Sequence, residues 1–87
     1  MKTYIVVQPH IVGSLDAWQT IYSFDRVEHS TRQRAISHGF KQHGHDDWLL
    51  AVLTDGKLSS VAWMEEDRDD LEERSEVAAA LGLKAQP

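Results

Sequence analysis

The chain has 87 residues, no cysteine and a formal net charge of −5 at pH 7, which suits one domain and is too short for two. The missing cysteines exclude disulfides and thiolate zinc sites as supports for the thin core of so small a domain, and they fit a cytoplasmic location. No run approaches the roughly 18 apolar residues of a membrane span, and the apolar run before Gln8 is too short for a signal-peptide core, so neither a membrane nor export is expected.

The charge is unevenly placed. Residues 1–64 carry six Lys/Arg and six acids, whereas residues 65–87 carry eight acids against Arg68, Arg74 and Lys84. A neutral body is therefore joined to an acidic C-terminal segment.

Residues 3–8 (TYIVVQ) predict a strand that Pro9 closes, since proline cannot donate to a ladder. Residues 10–16, with Gly13 and Ser14, predict a loop. In residues 17–24 (AWQTIYSF), Trp18, Thr20 and Tyr22 alternate with Gln19, Ile21 and Ser23 as in a strand. Leu15, Trp18, Ile21 and Tyr22 also fit a helical stripe, but the aromatic and β-branched content favours the strand.

Ser30-Thr31-Arg32-Gln33 forms a capping box with Ser30 as N-cap. Behind it Ala35, Ile36, Gly39 and Phe40 share one helical face, and Gly44 supplies a left-handed stop, giving a helix over about 31–43. Gly39 costs about 1 kcal/mol against alanine in a helix interior, which points to a close approach between this helix and a sheet.

Residues 48–53 (WLLAVL) and 58–64 (LSSVAWM) flank Thr54-Asp55-Gly56-Lys57, and Asp-Gly between apolar runs predicts a hairpin with a two-residue type I′ turn. Counting outward places Leu53 opposite Leu58, Val52 opposite Ser59, Leu50 opposite Val61 and Trp48 opposite Trp63. One face then carries Trp48, Leu50, Val52, Val61 and Trp63. The other carries Leu49, Ala51, Leu53, Leu58, Ala62 and Met64. Both are apolar, so each needs a cover. The first helix is assigned to the Trp48/Trp63 face, which leaves the other to the C-terminal segment or to another molecule.

Residues 65–76 are strongly acidic and residues 76–83 are alanine-rich, with Gly82 as the C′ residue. Asp67, Asp69 or Asp70 can cap a helix whose early acids suit its dipole. Leu71, Arg74, Ala78 and Leu81 lie along its narrow inner face, and residues 84–87 are expected to fray. The expectation is a single α+β domain over 1–87. A small four-stranded, mainly antiparallel sheet carries packed helices in the order β-β-α-β-β-α, and the acidic helical segment spans 65–83.

Two strands, a capped helix with the Ala35-Ile36 pair and a hairpin turning on Asp55-Gly56 make residues 3–64 resemble families of short, uncharacterised bacterial and prophage proteins. That resemblance implies no known activity and no site residues.

His38, His43 and His45 with Asp46-Asp47 form an H-x4-H-x-H-D-D string of types that ligate transition metals. The string resembles the H-x-H-x-D-H loop of metallo-β-lactamase-like hydrolases, without its final histidine and in a chain too short for that two-sheet fold. The simpler reading places His43 and His45 around the Gly44 stop, where cations favour a helix C-terminus. His43, His45 and Asp46 stand as the metal candidates, and no cofactor is expected. No serine sits in a G-x-S-x-G elbow and no Gly-rich phosphate loop occurs. Without an assembled constellation, the reading favours a protein that is not an enzyme.

Arg34, His38 and Lys41 recur at i, i+4 and i+7 on the outer face of the first helix, with Arg32 nearby, and such a stripe can touch phosphates. The acidic balance argues against nucleic acid as the main partner. A protein partner remains, a second copy foremost, docking on Leu49, Ala51, Leu53, Leu58 and Met64. The favoured expectation is thus a small non-enzymatic interaction protein that self-associates through an apolar sheet face.

Overall fold

A computed structural model describes residues 1–83 except 15, 25, 26, 46, 65 and 67. The elements are β1 (Lys2–Ser14), β2 (Ala17–Phe24), α1 (Arg32–His43), β3 (Leu49–Thr54), β4 (Lys57–Trp63) and α2 (Leu71–Leu81). The strands form one antiparallel sheet in the order β2-β1-β3-β4, with a helix against each face. This is the α+β architecture and element order that the sequence predicts.

Pro9 does not end β1. The β3 ladder stops at Val7, opposite Leu49, so from there β1 has β2 as its one strand neighbour. A proline is tolerated at such an edge. Residues 10–14, expected to be loop, therefore continue as strand and pair with Ala17–Ile21. Gly13 makes the tight return possible: its φ is +115°, and a Cβ would lie 2.2 Å from the Ala17 carbonyl oxygen. The preferred strand reading of residues 17–24 matches β2.

The N-cap of α1 is Thr31, not Ser30. Thr31 is extended (φ −132°, ψ 150°) and its hydroxyl accepts the Arg34 amide at 3.2 Å. The N-cap thus lies one residue later than expected, and Gln33 is no longer at the N3 position that the expected capping box requires. Gly44 does end the helix, with its N–H on the Phe40 carbonyl at 2.8 Å. Its ψ of −131° lies outside the left-handed helical well expected for it. Gly39 meets the sheet closely, as its placement suggested. A Cβ there would fall 2.6 Å from the Trp48 ring, which is fully buried. Gly39→Ala is therefore expected to destabilise the fold. Overpacking costs about 1–3 kcal/mol and outweighs the roughly 0.5–1 kcal/mol gained in helix propensity. Calorimetry should show a melting point lower by a few degrees; a higher one would mean that the indole can retreat.

The β3–β4 hairpin turns as predicted, with positive φ at Asp55 (51°) and Gly56 (82°), the type I′ signature. Leu53 opposes Leu58, but the next pairs are Val52 with Ser60, Ala51 with Val61 and Leu49 with Trp63. Ser59 is an extra, bulged residue. Its hydroxyl donates to the Val52 carbonyl at 3.0 Å and accepts from the Thr54 hydroxyl at 2.9 Å. One inserted residue turns every later side chain of β4 over. Trp48 and Trp63, expected to face each other under the first helix, lie on opposite faces.

The two faces therefore differ from the counted ones. On one, α1 sets Ala35 and Ile36 on Val6, Trp48 and Leu50, flanked by Tyr4, Phe40 and Met64. Phe40 meets the Trp48 ring edge-on, with centroids 5.2 Å apart. On the other, α2 sets Val77 and Ala78 on Ile5, Val7, Leu49, Ala51, Leu58 and Val61, with Tyr22, Phe24, Trp63 and Leu81 at the margin. Asp70 caps α2 by accepting the Glu73 amide at 3.1 Å, and Gly82 closes it in the left-handed conformation. Leu71, placed by sequence on the inner face, is exposed, whereas Val77, which the expected stripe left out, is fully buried beside Ala78.

Candidate functional site

Of the surfaces named from sequence, the sheet face reserved for self-association is not free. Leu49, Ala51 and Leu58 are fully buried and Leu53 nearly so, all covered by the chain's own α2. Met64 does not share that face, since the Ser59 bulge sends it to the α1 side. Any association surface must lie elsewhere.

Of the basic stripe, Arg34 and Lys41 are exposed while Arg32 and His38 are half-buried. The His38 ring packs on His29 with centroids 4.8 Å apart, and Arg32 reaches the Glu66 carbonyl at 3.5 Å. The metal candidates do not converge. His45 lies edge-on to Phe40, His43 sits beside Val6 and Phe24, and Asp46 is outside the described residues. Among the described residues no three His, Cys, Asp or Glu side chains meet closely enough to hold an ion.

The distinctive feature is a contrast between the two edges of the sheet. At β4 the edge is closed. The Val61 N–H donates to Asp69 Oδ1 at 2.9 Å, and its carbonyl accepts the Asp70 amide at 2.8 Å. Arg74, paired with Asp69 at 3.2 Å, donates to the Ser59 carbonyl at 3.1 Å. Together with the bulge and Lys57, these are the usual means of blunting an edge strand. Among the described residues no such contact closes the outer side of residues 18–22 of β2. Its eight residues include no charge, no proline and no glycine, and β1 is its one strand neighbour.

Beyond the end of β3, β1 and β2 run on as a two-stranded arm, which gives the molecule a long axis of 42 Å against 30 and 22 Å. Among the described residues the arm carries four of the seven exposed large hydrophobics: Ile11 (74 % exposed), Trp18 (64 %), Ile21 (47 %) and Val12 (38 %). Strand alternation puts Ile11 and Trp18 on the α2 side, and Trp18 stands opposite Gly13, where no side chain shields it. Between β2 and α2 runs a groove of about 720 Å³, lined by residues 18–22 and by Glu76, Ala79 and Ala80.

At the inner end of this groove Tyr22 Oη lies 2.6 Å from Glu73 Oε2 and 2.6 Å from Glu76 Oε2. Burial, then the hydrogen bonds to these carboxylates, raise the Tyr22 hydroxyl well above the ordinary value of 10.0. A pKa raised on folding favours the protonated, folded form. That contribution is complete below about pH 10 and is lost as pH climbs through the raised pKa. In urea titrations the protein is expected to weaken progressively above pH 10, and Tyr22→Phe to weaken less steeply; equal slopes would refute the linkage.

Comparison with models of protein families, with curated proteins and with solved structures finds no match. No helix among the described residues is long and apolar enough to cross a membrane.

Proposed function

We propose that the chain is a small interaction protein that works by binding, and that its working surface is the β1–β2 arm with the open edge of β2. The observation that carries the reading is the concentration of Ile11, Val12, Trp18 and Ile21 on one arm whose outer strand bears no charge, while the opposite edge of the sheet is closed by Asp69, Asp70 and Arg74. An exposed apolar patch costs solubility and invites aggregation unless something occupies it. The association expected from sequence thus moves from the face beneath α2 to the arm.

Photo-crosslinking from the edge tests this. A benzophenone side chain replacing Gln19 is expected to give discrete adducts in the producing cells. They should vanish when Trp18→Thr is added, and the same probe at Lys57 should give none. Equal adducts at both positions, or none at Gln19, would overturn the reading. The Trp18→Thr variant should keep its folding stability within about 0.5 kcal/mol, because the side chain is mostly in solvent.

A further inference from the structure

We infer that the groove between β2 and α2 receives an extended, basic segment of another protein, added to the sheet as a strand beside β2. The inference rests on the arm being the binding surface and names the chemistry of what binds there.

Residues 18–22 of the outermost strand form one wall of the groove, so an incoming extended chain meets a row of main-chain donors and acceptors there. Main-chain pairing supplies affinity in this mode, and alternate side chains supply selectivity. The wall contributed by α2 is low where Ala79 and Ala80 line it, which leaves room for those alternate side chains.

Charge selects the occupant. α2 offers Glu73 and Glu76 toward β2, and its one cation, Arg74, is engaged at the other edge by Asp69 and the Ser59 carbonyl. Tyr22 Oη contacts a carboxylate oxygen of each glutamate, yet a phenol has one hydrogen to donate. Three oxygens converge with one hydrogen among them. A lysine ammonium or arginine guanidinium supplies the missing donor through a charge-assisted bond. The exposed Trp18 ring, four residues and about 13 Å away along the strand, offers a cation–π face to a second basic residue of the same segment. A second copy supplies the opposite. Its β2 has no cation, and pairing β2 with β2 would bring two further glutamates toward the same junction in a protein of net charge −5.

The test is selection of phage-displayed random decapeptides on the immobilised full chain. Enriched peptides should carry Lys or Arg at alternate positions and shift the amide resonances of residues 18–22. Their affinity should fall about tenfold in Glu76→Gln and further in Glu73→Gln/Glu76→Gln, and again on raising salt. Enriched peptides without basic residues, or affinities unchanged by these variants, would overturn the inference and leave the arm as the binding surface. So would a failure to enrich peptides from a chain that sediments as a dimer and becomes monomeric with Thr20→Pro, since the occupant would then be a second copy. Neither peptides nor a dimer would sink the arm reading as well.

Discussion

Val77→Asp is expected to unseat α2 and expose the apolar sheet face beneath it. Val77 is fully buried on the face formed by Leu49, Ala51, Leu53, Leu58 and Val61. A carboxylate there must either be desolvated without a partner or drag the helix into water. The expected loss is more than about 3 kcal/mol, a large share of the roughly 4–13 kcal/mol expected for a domain of this length. Urea unfolding measures the loss directly. Sedimentation and dye binding should show concentration-dependent association and newly exposed apolar surface. Val77→Ala should lose about 1–3 kcal/mol and keep the wild-type solution mass, because it leaves a cavity and not a charge. If Val77→Asp stayed stable with unchanged mass, α2 would not be the cover that keeps this face from associating.

The second large effect is at the closed edge. Asp69→Ala removes the acceptor for the Val61 N–H, which belongs to a fully buried residue, and releases Arg74 from its partner. Hydrogen bonds to a charged group are worth about 1.5–3 kcal/mol, and a stranded buried donor adds its own desolvation cost. A loss of about 2–4 kcal/mol is expected, and exchange of the Val61 amide should accelerate by about a hundredfold or more. Asp69→Asn keeps an acceptor and should recover part of both. If Asp69→Ala left Val61 exchange unchanged, the side chain would not be what closes that edge.

Several elements were legible because local chemistry decides them. Asp55-Gly56 sets a turn that needs two positive φ values, and Asp70 and Gly82 bound α2 as the charge pattern and Gly82 suggested. Gly39 announced a close contact, although the ring it meets could not be named from spacing. Other features were hidden because they depend on residues distant in sequence. Pro9 is tolerated because β3 stops at Val7, and nothing near Pro9 in the chain reports that. The Ser59 bulge was invisible to counting from the turn, and the slip of one residue placed Val61 and Trp63 on the wrong face and Met64 in the wrong cluster. The candidate site suffered most. Ile11 and Val12 were assigned to a loop, so the arm was missed, although an apolar pair just before Gly13 and an alternating Trp18–Ser23 run were its available signals. The face expected to bind a partner proved to be the interior.

The unequal edges also bear on polymerisation. An uncharged eight-residue strand with an exposed tryptophan would ordinarily be a seed for fibrils, since each added strand presents a fresh edge to the next. In this sheet the far edge is plugged by Asp69, Asp70 and Arg74, so a strand added at β2, as proposed above, would find no open partner edge at β4 to carry the ladder further. Growth by repeated addition of whole molecules would need a β4 edge to receive the next β2, and that step is blocked. Two molecules meeting edge to edge could do so only through the same strand from each, a pairing that closes on itself. If β2 takes up a strand as proposed, the β4 plug would act as a chain terminator and keep that uptake from propagating into a filament.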